Sequence, residues 1–114
     1  MSQNLLEKIL QDDFNYYTKE LIDFLMLYKK NDFIYPSAIK NKFSFDDKTI
    51  YNLLSILETN QIVKMYYEVF CYNCDRSMKI YERFNEIEEI AICDMCENSM
   101  YYDTNLRIVY KVVI

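Results

Sequence analysis

Between residues 46 and 60 the apolar positions fall at helical spacing. In "DDKTIYNLLSILETN", Ile50, Leu53, Leu54 and Leu57 occupy one face, while Lys48, Thr49, Asn52 and Ser55 lie away from it. Asp46 is the expected N-cap, since its carboxylate can accept from the free N–H groups of the first turn, and Asp47 suits the positive end of the helix dipole. Just upstream, "PSAIKNKF" reads as a short helix with Pro36 near its start and Ile39 and Phe43 four residues apart. "SF" then links the two helices. Further upstream, "YYTKELIDFLMLYKK" predicts a helix through Tyr17, Leu21, Phe24, Leu25 and Tyr28. Residues 2–12 add an amphipathic turn or two with Leu5, Leu6, Ile9 and Leu10, and Asp12-Asp13 is the expected break, with one long helix as the alternative.

After residue 60 the period changes to two. In "IVKMYYEVF", Val63, Met65, Tyr67 and Val69 alternate with Lys64, Tyr66 and Glu68, which predicts a strand with a polar outer face. "LRIVYKVVI" predicts a second strand with Leu106, Ile108, Tyr110, Val112 and Ile114 on one side. These two strands are expected to pair antiparallel. Between them, "SMKIY" and "EIAI" are the expected strands of a hairpin that turns near Asn85 and Glu86.

The stretch between the long strands holds all four cysteines, as Cys71-x2-Cys74 and Cys93-x2-Cys96 with eighteen residues between the pairs. Two residues between cysteines let one tight turn aim both sulfurs at one metal. The spacing points to one structural zinc ion, with iron, disulfides or a redox pair as alternatives. Four thiolates would fill a tetrahedral shell and leave no position for substrate. Asp75 and Glu97 follow the second cysteine of each pair, where such turns often use Gly to adopt a left-handed backbone. With no Gly and one Pro in the chain, every turn must use other residues.

"FIYPSAIKNKFSFDDKTIYNLLSILETNQIVKMYY" resembles the winged helix-turn-helix pattern. Ile39, Phe43 and Phe45 match its apolar positions, Asp46 its N-cap, and Ile50, Leu53, Leu54 and Leu57 its third-helix core. The addition of a four-cysteine ribbon is similar to the alpha subunit of transcription factor IIE and its archaeal counterpart, and to small accessory proteins of bacterial conflict systems. The resemblance covers residues 33–114 at the level of pattern. It implies an α+β fold: a winged helix-turn-helix with a zinc ribbon inserted in the wing and an extra N-terminal helix. The expected boundaries are 1–13 for the helical extension, 14–70 with 104–114 for the winged helix, and 71–103 for the ribbon.

Charge changes what that resemblance implies. The net charge is −5, and residues 71–103 alone carry three basic and eight acidic side chains. A DNA-binding surface is expected to be basic, because phosphate neutralisation supplies most of the affinity. Lys40, Lys42, Lys48 and Lys64, with Thr49 and Asn52 to touch base edges, are the candidate nucleic-acid residues. Ordinary solvated lysines are the preferred reading of that patch. Tyr66, Tyr72, Tyr101 and Tyr102, with Glu86, Glu88 and Glu89, are the candidate partner-binding residues. For the tyrosines, packing against a strand face is the plainer reading. The Leu5, Leu6, Ile9, Leu10 stripe reads as local core before dimer or partner contact.

Histidine is absent, and no Gly-rich phosphate loop or hydrolase motif appears, so no catalytic residues are assigned. The 52% hydrophobic and 27% charged composition fits a globular chain with a real core. No apolar run approaches the roughly 18 residues of a membrane span, and the start has no signal-peptide character, so a cytoplasmic protein is expected. The abundance of Ile, Lys, Asn, Tyr and Phe, residues of AT-rich codons, hints at a low-GC bacterium, its phage or a mobile element. The expectation is a non-enzymatic adaptor in such an assembly. The rivals are a DNA-binding regulator reading through helix 46–60 and, more weakly, an acidic nucleic-acid mimic.

Overall fold

Asp46 caps helix α4 (Asp47–Thr59) as its sequence requires: its carboxylate accepts from the Thr49 N–H at 2.9 Å. That hydrogen bond holds the Asp46 carboxyl below its usual range. Ile50, Leu53, Leu54 and Leu57 are all buried. The computed structural model describes residues 1–10, 14 and 18–114. The break expected at Asp12-Asp13 and the helical position of Tyr17 lie outside them. The described chain is mixed α and β, with four helices and antiparallel sheets, and it divides into two compact units, Met1–Lys64 with Tyr110–Ile114, and Met65–Val109. No described helix is long and apolar enough to cross a membrane.

The first unit holds α1 (Gln3–Leu10), α2 (Thr18–Leu25), the short strand β1 (Phe33–Ile34), α3 (Pro36–Phe43) and α4. Leu6 and Leu10 of α1 are buried, and Leu5 and Ile9 are half-buried, so this stripe is core. α2 stops before Tyr28, short of the expected end. The Leu27 and Tyr28 N–H groups bond to carbonyls three residues back, which tightens the chain out of the helix. α3 starts at Pro36 and ends at Ser44, whose φ of 56° is left-handed and whose N–H donates to the Lys40 carbonyl. The "SF" link also packs. Phe43 stacks on Phe45 at 5.3 Å and meets Phe24 edge-on at 5.6 Å, adding aromatic contacts between α2 and the α3–α4 corner.

β2 (Val63–Cys71) and β6 (Leu106–Val112) each begin in one unit and end in the other. With β3 (Arg76–Tyr81) they give a sheet of order β1-β6-β2-β3, while β4 (Ile90–Ile92) and β5 (Ser99–Tyr101) form a separate pair. Phe33 and Ile34 of β1 lie opposite Lys111 and Tyr110 of β6.

Three strand expectations change. "SMKIY" pairs with β2, with Glu68 opposite Ile80 and Cys71 opposite Arg76, and "EIAI" pairs with β5 instead of with "SMKIY". A single turn of 3-10 helix, Phe84–Glu86, occupies the expected hairpin turn. Glu68, expected on the polar face, is fully buried, and Val69, Phe70 and Cys71 after it are buried too. A register irregularity between Val69 and Phe70 breaks the alternation there, and both faces of the strand end are covered. In β6 the buried residues are Val109, Tyr110 and Val112, while Ile114 beyond the strand is 46% exposed. β6 lies between two strands and is covered on both sides at its end, so period-two patterning does not sort its faces.

Candidate metal centre

Each cysteine pair sits at the tip of a β-hairpin. Cys71 ends β2, Cys74 lies in the turn, and β3 starts at Arg76. Cys93 follows β4, Cys96 lies in the next turn, and β5 starts at Ser99. In the second tip the Cys93 N–H donates to the Asn98 carbonyl at 3.0 Å, and the Glu97 N–H donates to the Cys93 carbonyl at 2.8 Å. Asp75 and Glu97, the residues after each second cysteine, both have left-handed backbones, with φ of 54° and 60°. Both tips therefore place a left-handed backbone at the same position without the glycine that would relieve it.

That strain is removable. A left-handed conformation costs a non-glycine residue roughly 1–2 kcal/mol, against the roughly 0.5–1 kcal/mol of extra chain entropy that Gly loses on folding. Glu97→Gly is expected to stabilise the protein by up to ~1 kcal/mol, read as a higher midpoint of chemical unfolding. Asp75→Gly should gain less, because Asp tolerates this region better. A lowered midpoint for Glu97→Gly would show that the Glu97 side chain contributes something the backbone argument omits.

The four sulfurs converge. Cys71 Sγ and Cys96 Sγ are 3.6 Å apart, Cys74 Sγ and Cys93 Sγ are 3.7 Å apart, and all four lie within 4.8 Å of one another. A tetrahedral ion with metal–sulfur bonds of about 2.3 Å needs sulfurs about 3.8 Å apart, so the cluster has the right size to hold one. The thiols are free, and their separations are far beyond the roughly 2.05 Å of a disulfide bond. Cys71 and Cys93 are buried and Cys74 and Cys96 half-buried, so a bound ion would be shielded on two sides and near solvent on the others.

The local charges fit a cation. Hydrogen bonds from the Asn73 side chain and the Asn98 backbone lower the Cys96 thiol to about 6. Its hydrogen bond to Cys96, then burial, push Cys74 up to about 12. The donors around Cys96 thus favour its thiolate. A divalent cation at the centre would let all four ionise together. Asn73 was not singled out by sequence, although an Asn between cysteines is a readable signal for a side-chain amide that can donate to sulfur; the Asn98 contact is a backbone one and leaves no such signal. Met78 was also missed; its Sδ lies 3.7 Å from Cys93 Sγ.

The cysteines also form part of the core of their unit. Val69, Cys71, Tyr81, Cys93 and Met100 make its buried cluster, with Met78, Ile87, Ala91 and Leu106 against it. Among the described residues these four cysteines are the group with metal-ligand geometry. No family model matches the chain, nor does any curated protein or solved structure.

The candidate nucleic-acid residues are less concentrated. Lys40 Nζ sits 3.0 Å from Asp47 Oδ1 in an exposed salt bridge between α3 and the first turn of α4. That carboxylate offsets the best-placed lysine. Lys42, Lys48, Asn52 and Lys64 are exposed, and Thr49 is half-buried with its N–H committed to Asp46. Of the candidate partner residues, Tyr66 is half-buried, while Tyr72, Tyr101, Tyr102, Glu86, Glu88 and Glu89 are exposed. Tyr72 packs edge-on against Phe70, and the Arg107 guanidinium lies 3.6 Å from the centre of the Phe70 ring. Tyr102 and Tyr67 both contact Phe84. Tyr72 and Tyr102 are thus held by neighbours while still presenting a face to solvent.

Proposed function

We propose that the protein is a non-enzymatic, zinc-stabilised adaptor that makes protein–protein contacts in a prokaryotic or phage-related assembly. The convergence of four thiols from two hairpin tips carries the reading. Cytosolic-type paired cysteines with this spacing favour zinc over the alternatives, and a shell filled by four sulfurs leaves no open position for a reacting water. The metal's role is then to hold the two tips together. The order α2, β1, α3, α4, β2, β6 supports a winged helix with the cysteine-bearing segment between its last two strands. That arrangement resembles the alpha subunit of transcription factor IIE and small accessory proteins of bacterial conflict systems.

Charge favours a protein partner over DNA. α4 opens with Asp46 and Asp47 and ends near Glu58, against Lys48 and a Lys40 already paired with Asp47. Counterion release would be too weak to drive tight duplex binding. The test is fluorescence anisotropy of labelled duplex DNA with zinc-loaded protein at low salt, beside co-purification from the native host at high salt. The expected result is negligible DNA binding and a stoichiometric, salt-tolerant protein partner. Tight duplex binding with a steep salt slope, weakened by Lys48→Glu or Asn52→Ala, would replace this reading with a DNA-binding regulator.

A further inference from the structure

The β4–β5 hairpin has one face with no cover. Ile90 lies opposite Tyr101 and Ile92 opposite Ser99. Directly opposed residues of an antiparallel pair share a face, so these four residues point the same way. Ala91 and Met100, on the other face, pack into the cluster around the cysteines. The outer face is therefore apolar where a free two-stranded hairpin should be polar. Ile90 is 54% exposed, Ile92 67% and Tyr101 48%, and Met95 in the adjoining cysteine turn is 66% exposed. Scattered exposed apolar residues need no explanation, but here Ile90, Ile92 and Tyr101 are aligned by register on one face beside the cysteine cluster.

The surroundings select what can cover it. Residues 84–105 contain Glu86, Glu88, Glu89, Asp94, Glu97 and Asp103 and no Lys or Arg at all. All six carboxylates are exposed. A metal bound by four thiolates would add further negative charge. Beside Ile92, the hollow lined by Glu88 and Asp94 also takes Lys79 of β3, so the surround is net negative and not purely acidic. Such a surround repels nucleic acid and anionic membranes. It also opposes a second copy, because face-to-face pairing would bring the same carboxylates together.

Resting on the protein-contact reading above, we propose that the outer face of the β4–β5 hairpin docks a different protein, one whose surface carries an apolar centre ringed by Lys and Arg. Ile90, Ile92 and Tyr101 fill the centre of the contact. Glu86, Glu88, Glu89 and Asp94 set its charge and speed its formation. The metal-held turn keeps the face rigid, which lowers the ordering cost of binding.

The probe is a short synthetic peptide of alternating Lys and Leu, titrated into the isotope-labelled, zinc-loaded full chain and followed by amide chemical shifts. A Lys homopeptide of equal charge is the comparison. Shifts should concentrate in residues 88–103, and the Lys-Leu peptide should bind at least tenfold tighter than the homopeptide. Ile92→Ser should weaken it about tenfold at unchanged zinc stoichiometry. Glu88→Gln with Glu89→Gln should weaken it and flatten its salt dependence. Equal binding of both peptides, shifts centred elsewhere, or no effect of Ile92→Ser would overturn the proposal. So would a sedimenting dimer that Ile92→Ser converts to monomer, since the occupant would then be a second copy. A native partner retained by Ile92→Ser would sink this face while leaving the adaptor reading intact, whereas tight duplex binding by the wild type would remove that reading itself.

Discussion

Cys93→Ser is expected to abolish stoichiometric zinc binding and to unfold Met65–Val109 while the helices of the other unit persist. Cys93 is fully buried, and two of the five residues in the buried cluster of its unit are cysteines. The remaining Val69, Tyr81 and Met100 are too few to hold three short hairpin strands together. A structural zinc contributes roughly 10–16 kcal/mol of apparent binding energy, which is as large as the whole stability of a typical domain at about 5–15 kcal/mol. Losing the ion should therefore melt this unit outright. A strong chelator added to the wild type should do the same, because an ion that holds the two tips together would make binding and folding one equilibrium. Amide hydrogen exchange reads both experiments. Protection should vanish in β3, β4 and β5 and remain in α4, whose apolar face packs in the other unit. Native mass spectrometry should show one zinc per wild-type chain and none in the variant. Full protection of β3–β5 in the metal-free protein would mean that side-chain packing alone suffices.

Leu54→Ala is the next largest effect expected, and it acts on the helical unit. Leu54 is fully buried, as are Ile50, Leu53 and Leu57 on the same helix. Truncation removes the transfer energy of the lost methyl groups and leaves a cavity that packed neighbours fill only in part. The cost should be about 2–5 kcal/mol. Far-ultraviolet circular dichroism in urea measures it as a shifted midpoint with an unchanged slope. The zinc content of the folded variant should stay at one per chain, since no cysteine belongs to this unit. A loss below about 1 kcal/mol would place Leu54 among ordinary surface positions and contradict its burial.

Some elements were legible because their cause is local. The start of α4 follows from Asp46 reaching a backbone donor three residues on, and its buried face follows from 3.6-residue geometry. Pro36 at the start of α3 and the buried Ile39 follow in the same way. The gathering of the cysteines was legible because a two-residue spacer fits one turn and one ion. The left-handed backbones at Asp75 and Glu97 fall where that turn demands them. The apolar face at Ile90 and Ile92 was harder to see. The "IAI" alternation was visible, but only its register against Tyr101 shows which face is covered.

The sequence by itself determined the cap and buried face of α4, the Pro36 start of α3 and which four side chains meet, because those features depend on neighbours a few bonds away or on shared metal-ligand chemistry. Only the tertiary structure decided that Arg76–Tyr81 pairs with Val63–Cys71, and that Ile90–Ile92 pairs with Ser99–Tyr101 instead of with its expected partner. It alone placed Glu68 inside and Ile92 outside. Alternation tells which residues share a face of a strand. It carries no information about which strand comes alongside or what covers that face, because those depend on contacts between residues far apart in the chain.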